Sequence, residues 1–373
     1  MIGKSSTVRP ARQPIALPDL PVQPLVTVMV SNYNYARYLP EAIGSVIRQT
    51  YPHWELIVCD DGSTDESCGV VARYAAQDPR IQLIRQKNAG QASALNSAFA
   101  ASKGGILCVL DADDWFHPQK LASVVRQFQQ CRDAGLLVHA MSLVDADGAR
   151  LHRIPILGAF EEGWIASRIL QRGGRWRYMP ASGLVFRREV AEIGFPIAPR
   201  RFAVGADGFL FTLFPLLTKI TFLPEELSTY RIHGANVVGR LGVNAAAARK
   251  GARLMTEVVE GVNERLSQLA SPDVLDAGAN LHIALELLTA HLLEGEARRL
   301  LCRRYFSAVR AILADDLYGW RQKVILPLLF GVAALLPRGW RQAWLDQAIS
   351  AGAWKRTMVW MLTGFRRQAR IGF

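Results

Sequence analysis

Cysteine is scarce in this 373-residue chain: Cys59, Cys68, Cys108, Cys131 and Cys302 are scattered, with no Cys-x-x-Cys spacing among them. That excludes a disulfide framework and a zinc-finger type of site, and it suits reduced core thiols in a cytosolic protein. The start of the chain lacks the charged residues followed by a continuous apolar run that a secretory signal needs. Residues 1–24 instead carry Pro10, Pro14, Pro18, Pro21 and Pro24 and read as a flexible or extended, Pro-rich leader. A Gly-rich, Lys-containing phosphate loop is also missing, which counts against a nucleotidyltransferase acting on a nucleoside triphosphate. Acidic residues are rare at the C-terminal end: Ala297 to Phe373 holds 14 Lys/Arg against Asp315, Asp316 and Asp346, so +11 of the net +12 lies there.

Charge alone would suit nucleic acid or an anionic membrane equally. The residues between the charges decide. Val324 to Leu336 is a run of 13 uncharged residues, against the roughly 20 that a spanning helix needs. Around it Trp320, Trp340, Trp344, Trp354 and Trp360 interleave with Arg321, Lys323, Arg338, Arg341, Lys355 and Arg356. This pattern predicts helices at an anionic membrane surface, peripheral on its cytoplasmic face, and no nucleic-acid partner. A buried core helix with a solvated basic face would carry the same pattern.

Half the residues are hydrophobic, so the chain folds, and its length suits one large domain with a substantial appendage. The centre of the pattern is Gly105 to Leu110, an uncharged strand running into Asp111-Ala112-Asp113-Asp114. A strand without alternation is covered on both faces, as in the parallel part of an α/β sheet, and ligands collect at the carboxyl ends of such strands. If the chain stays extended, Asp111 and Asp113 leave the same face. Carboxylates this close repel unless a cation intervenes, and hard oxygen ligands suit Mg²⁺ or Mn²⁺.

Earlier in the chain, Leu25 to Val30 is a strand entering the polar loop Ser31-Asn32-Tyr33-Asn34-Tyr35, and Pro40 opens a helix. Trp54 to Cys59 is a second strand, ending in Asp60-Asp61-Gly62-Ser63-Thr64-Asp65. Strand, helix and strand so close together make a right-handed βαβ unit. A helix from Gly69, a strand at Ile81 to Ile84, a turn at Asn88-Ala89-Gly90 and a helix at Ala94 to Phe99 follow. Beyond the central strand, Pro118 starts a helix whose apolar face is Leu121, Val124, Val125 and Phe128, with Asp114 as a capping or supporting residue ahead of it. Leu136 to Ala140 and Ser142 to Asp145 read as two strands joined by a short turn, and from about Ala245 the pattern turns helical.

Taken together, Val28 to Asn34, the run Tyr38-Leu39-x-Glu41-Ala42-Ile43-x-Ser45-Val46-x-x-Gln49-Thr50-Tyr51, Asp60-Asp61-Gly62-Ser63-Thr64-Asp65, Asn88-x-Gly90 and Asp111-Ala112-Asp113-Asp114 resemble family 2 glycosyltransferases of the GT-A fold. The resemblance covers about Val26 to Asn236. It implies an α/β fold, the GT-A nucleotide-diphospho-sugar transferase architecture with a Rossmann-like mixed sheet, over residues 25–240. A helical, basic, membrane-associating region would follow over 241–373.

The resemblance also implies roles. Ser31, Asn32, Tyr33, Asn34 and Asp60 would form the nucleoside pocket, with Asp60 accepting from the base; Asn88 and Gly90 would set the loop over the nucleotide. Asp111 would face the ribose and Asp113 would hold Mn²⁺ or Mg²⁺. In Val204-Gly205-Ala206-Asp207 the family usually has Glu-Asp with Asp as general base, so Asp207 takes that role, with Ala206 replacing the Glu. An N-cap for a helix from Phe209 to Leu217 is the plainer reading of Asp207. Thr229 to Asn236 resembles the closing loop, in which the alternating Arg231 and His233 would face the diphosphate, His233 as a further metal ligand. Leu95 stands where the family often has an arginine, leaving Arg85 or Lys87 to meet the phosphates.

One Asp base without a second catalytic carboxylate fits direct displacement with inversion. The Gln-x-x-Arg-Trp signature of processive synthases is absent after Asp207, which favours single addition. The expected activity is transfer of one sugar from a nucleotide-diphosphate donor, a UDP-sugar favoured, to a glycan or polyprenyl-linked acceptor. A catalytically degenerate scaffold that binds a nucleotide or glycan at a membrane is the alternative.

Overall fold

The computed structural model describes residues 13–154, 160–233, 244–295 and 298–346. Strands β1 (Val26–Asn32), β2 (Trp54–Asp60), β3 (Ile81–Arg85) and β4 (Ile106–Val109) run parallel in the spatial order β3-β2-β1-β4. Helices α1 (Leu39–Ile47), α2 (Ser67–Gln77) and α3 (Gln91–Ala101) connect them. The chain begins in the middle, walks out to β3 and returns to the far side of β1. The crevice beyond the carboxyl ends of β1 and β4 is therefore a topological switch point, where ligands of open α/β sheets bind.

The remaining elements up to the end of the sheet are β5 (Trp115–Phe116), α4 (Lys120–Gln130), β6 (Ala134–Val144), β7 (Arg150–Arg153), α5 (Ala166–Gln171), β8 (Leu184–Arg187), α6 (Arg188–Gly194), α7 (Ala206–Leu213) and β9 (Lys219–Arg231). β8 lies antiparallel to both β4 and β6, and β9 runs parallel to β6, so the sheet is mixed. β1, β2 and β4 are apolar at successive positions because both faces are covered. Val28, Val30, Leu56, Val58 and Cys108 share a core with Ile43 of α1, Val70 of α2 and Leu121 of α4. Met29, Ile57, Cys59, Leu107 and Val109 share the other with Ala94, Leu95 and Ala98 of α3. The period of two deals alternate residues to opposite faces.

One expectation changes, and two that were open are decided. The expected turn between Leu136–Ala140 and Ser142–Asp145 does not exist: β6 is one continuous strand, with Met141 fully buried and opposite Ser228 of β9. Register shifts around His139, Ala140 and Met141 absorb the irregularity that mimics a turn in the sequence. Of the two forms open to the leader, residues 13–24 take the extended one. Ile15 N–H donates to the Leu217 carbonyl (2.8 Å), Ile15 and Leu17 pack on the core, and Tyr51 Oη donates to the Pro24 carbonyl (2.7 Å). Apolar side chains between the prolines find the core, and residues 1–12 lie outside the described ones. Finally, Asp114 does not cap α4, whose N-cap is Gln119.

Beyond residue 243, α8 (Ala245–Gln268) adds Val258, Val259 and Val262 to the main core, beside Phe202 and Phe209. α9 (Leu281–Glu294), α10 (Arg298–Ala314), α11 (Trp320–Leu335) and α12 (Arg338–Leu345) form a smaller cluster around Leu288, Leu292, Leu301, Leu329 and Phe330. Among the described residues no helix is long and apolar enough to cross a membrane. The boundary expected near residue 240 lies outside the described residues, as do Trp354, Lys355, Arg356 and Trp360.

Candidate active site

The loops after β1 and β2 are built as one unit. Asn32 is buried, and its Nδ2 donates to Asp60 Oδ2 (2.8 Å) and Ser63 Oγ (3.2 Å). Asn32 Oδ1 is buried without a hydrogen-bond partner among the described residues. Burial alone would raise the Asp60 carboxyl, but the Ser63 hydroxyl and N–H and the Asn32 amide hold it below the ordinary carboxylate range. Asn34 takes a positive φ of 60°, and its side-chain oxygen accepts from the Thr64 N–H (2.8 Å) while its own N–H donates to Ser63 Oγ (2.9 Å). Asn34 thus fastens the two loops together. Tyr33 between them is 46% exposed at the mouth, and Ser31 is half-buried within β1.

Asp61 organises the neighbouring loop. Its carboxylate accepts from Gln86 Nε2 (2.6 Å) and from the N–H groups of Ala89 (2.9 Å) and Gly90 (2.8 Å). Asn88 is exposed on this loop. Gly90 has φ 89°, and a Cβ there would stand 2.5 Å from Ala203 Cα. A Gly90→Ala variant is expected to lose at least ~2 kcal/mol of stability in urea unfolding, because left-handed strain adds to a clash with backbone.

The same corner places α7. Gln91 at the start of α3 donates its N–H to the Ala203 carbonyl (2.9 Å), and its side-chain oxygen accepts from Gly205 N (3.1 Å) and Ala206 N (3.0 Å). Gly205 is the N-cap, so Asp207 lies inside the first turn of α7 rather than capping a helix. Burial raises the Asp207 carboxyl above its ordinary value, against opposing hydrogen bonds from the N–H of Gly208 and its own N–H. The Asp207 charge reaches both Tyr178, whose ring stacks on Phe211 at 4.4 Å, and Asp111 across the crevice.

The acidic segment is not extended. β4 ends at Val109, and Asp114 N–H closes a turn onto the Asp111 carbonyl (3.1 Å). A turn still gathers the carboxylates: burial, then Asp114, Asp113 and Asp207, push Asp111 well above the ordinary range. Asp114 is buried and raised by burial and by Asp113, and it accepts from Ser182 Oγ (2.6 Å) and Arg231 N–H (2.9 Å). Ser182 Oγ in turn accepts from the Asp111 N–H (3.0 Å), and its carbonyl accepts from buried Lys120 Nζ (2.7 Å). Desolvation drops the Lys120 ammonium to about 7.

His233 and Asp113 meet, with Nε2 2.8 Å from Oδ2, and the imidazole stacks on Tyr38 at 5.1 Å. Arg231 is buried. Its Nε donates to the Asp113 carbonyl (2.8 Å), Nη1 to the Ala146 carbonyl (2.9 Å) and Nη2 to Glu41, and its guanidinium lies over the rings of Tyr38 and Trp115. These contacts clamp the acidic turn from behind, a task that the alternation of Arg231 and His233 did not reveal. The rest of the closing loop, Gly234 to Asn236, lies outside the described residues.

Residues 27–194 match the profile of "Glycosyl transferase family 2". An uncharacterized glycosyltransferase of Nostoc sp. is 42% identical over 212 residues, covering 57% of this chain and 66% of its own length. The chain carries a family 2 glycosyltransferase domain. The glycosyltransferase GlyG of Streptococcus pneumoniae is 28% identical over 57% of this chain and 73% of its own length. The chain thus spans about two thirds to three quarters of these relatives. Among solved structures, S. aureus TarS 1–349 in complex with UDP superposes with a TM-score of 0.52 at 15% identity, over 87% of this chain and 89% of that one. The glycosyltransferase domain therefore has the GT-A architecture, with helices at its C-terminal end.

Within the glycosyltransferase domain, the structure brings Asp111, Asp113, Asp207 and His233 to one crevice and puts Asp60 and Asn32 at its side. Leu95 is fully buried in the core, so no cation at that position reaches a phosphate, whereas Arg85 and Lys87 remain exposed. Gln91, Ser182 and Lys120 went unnoticed as supports. Ser182 lies within an Ala-Ser-Gly run whose only visible signal is small size, and its partners are 68 and 71 positions away.

Proposed function

We propose that this protein transfers a single sugar from a nucleotide-diphosphate sugar to a glycan or polyprenyl-linked acceptor, with inversion at the anomeric carbon. The observation that carries the reading is the acidic turn at the switch point, with Asp207 facing it from α7 closely enough to raise Asp111. UDP is the favoured nucleotide, as bound in the S. aureus structure of the same fold. The protein would work as a peripheral protein on the cytoplasmic face of an anionic membrane.

In this reading Asp60 accepts from the base, the orphaned Asn32 Oδ1 adds a second acceptor, and Tyr33 packs on the ring. Ser31, Asn34, Asn88 and Gly90 shape the pocket, and Asp111 meets the ribose. Asp207 removes the proton from the acceptor hydroxyl as its oxygen bonds to the anomeric carbon and the bond to the diphosphate breaks. One displacement inverts the centre. Burial brings Asp207 towards the pH range in which a base works best. Arg231 contributes by fixing the turn that carries Asp113.

The donor set fits Mn²⁺ or Mg²⁺. Among the described residues no group of three side chains converges with metal-ligand spacing. Asp113 and His233, which meet at 2.8 Å, are the side chains that would hold the ion, with water and substrate phosphates supplying its other oxygen ligands. When bound, the ion would offset the charge growing on the leaving diphosphate.

A thermal-shift panel of UDP, GDP, dTDP and CMP, each with and without Mn²⁺, tests the reading. One nucleotide, with metal, is expected to stabilise the protein by about 2.7 kcal/mol at a hundredfold excess over Kd. Silence across the panel would remove the donor site. A shift without any sugar transfer would favour the scaffold.

A further inference from the structure

α11 is apolar over most of its surface, as helices buried all round or seated in lipid are, yet among the described residues only one side of it packs. Leu329, Phe330 and Ala333 are buried against the smaller helical cluster. Trp320, Val324, Leu328, Val332 and Leu335 are between 39% and 85% exposed. At 3.6 residues per turn these five fall within an arc of about 120°, in which Arg321 is the one charged position. On the neighbouring helices Phe306 and Trp340 are also exposed. A continuous apolar face of this kind marks an interaction site.

Charge identifies the occupant. Residues 298–346 hold nine Lys/Arg and three Asp. Two of those acids are consumed internally, Asp315 by Arg175 and Asp316 by Arg172. Arg303 and Arg310 on α10, Arg321 on α11 and Arg338 on α12 are exposed, and indole rings sit near the start of α11 and on the following helix. An apolar stripe with Trp at its margins and cations beside it complements an anionic lipid headgroup layer over acyl chains.

The same acids tie this surface to the active site. Arg172, Arg175 and Arg177 hold the connector between α10 and α11, the last by donating to the Leu317 carbonyl (2.6 Å). These arginines lie on the segment that continues into Tyr178, beside Asp207, and Ser182, beneath the acidic turn. We infer that the outer face of α11 seats the protein on an anionic bilayer and that the arginine clamp holds the acceptor side of the crevice at a set place relative to that surface. The second half rests on the transferase reading above; the first does not.

The test is co-sedimentation of the full-length chain with phosphatidylcholine vesicles, with and without phosphatidylglycerol, beside the variant Leu328→Glu/Leu335→Glu. The parent is expected to bind the anionic vesicles, less so as salt rises, and the variant to bind them at least about tenfold more weakly. Both side chains are exposed, so the variant's melting temperature and its nucleotide-induced shift should match the parent's. Equal binding by parent and variant, or equal binding to both vesicle types, would overturn the inference. So would a parent that ignores vesicles. In that case a lower light-scattering mass for the variant assigns the face to a second copy, and vesicle binding by a chain ending at Asp346 assigns it to residues 347–373. Loss of the nucleotide shift with vesicle binding intact would remove the transferase reading and leave the surface standing.

Discussion

Asp207→Asn is expected to lower the rate of sugar transfer by about 10²–10⁴-fold, the usual contribution of a positioned general base, while the UDP-induced melting shift stays at the parent's value. The amide keeps the side chain's shape but cannot accept the acceptor's proton. Asp207 lies in the first turn of α7, on a different element from the loops that carry Asp60 and Asn32, so the contacts to the base stay in place. The pH profile gives an independent readout. Burial raises the folded-state pKa of Asp207, so the protonated, inactive form persists to higher pH than for an exposed aspartate. The acid limb of kcat/KM should accordingly fall above the ordinary carboxylate range, with activity gained as pH rises through it. A variant retaining transfer within tenfold of the parent would place the base elsewhere.

Asp113→Ala should abolish transfer, with a loss of roughly 10³-fold or more, because the cation that offsets the leaving diphosphate would lose its carboxylate ligand. The Mn²⁺-dependent part of the UDP shift should vanish with it. The folded state is expected to survive. Asp113 raises both Asp111 and Asp114 by repulsion, so deleting its charge relieves strain in the acidic turn, while the backbone carbonyl that accepts from Arg231 remains. An unchanged or higher melting temperature of the apo protein separates loss of function from loss of fold. Turnover retained with added Mn²⁺ would refute the metal role of Asp113.

Much of the site was legible because its parts are local in sequence. A buried strand and the polar loop after it form one continuous segment, so the positions of Ser31 to Asn34, Asp60 and Asp111 to Asp114 followed from the apolar runs ahead of them. Other parts depend on contacts across the chain. Asp61 and Asp60 are neighbours in one motif, yet one faces Asn32 and Ser63 and the other holds the Asn88–Gly90 loop. Arg231 reads as a phosphate ligand in a motif, and only the fold shows its contacts with Asp113, Ala146 and Glu41.

Local composition was enough to determine the parallel half of the sheet, its two covered faces and the order of its acidic loops, since hydrophobic periodicity reports which faces are buried and each strand–loop unit carries that information within itself. Tertiary structure alone decided that β6 is a single strand, that Gln91 meets the N–H groups opening α7 so that Asp207 faces the acidic turn, and that, among the described residues, α11 buries only one of its apolar sides. Each of those outcomes depends on partners far away in the chain. No local pattern encodes which distant residue will supply a hydrogen bond, or which of two equally apolar faces will find a neighbour.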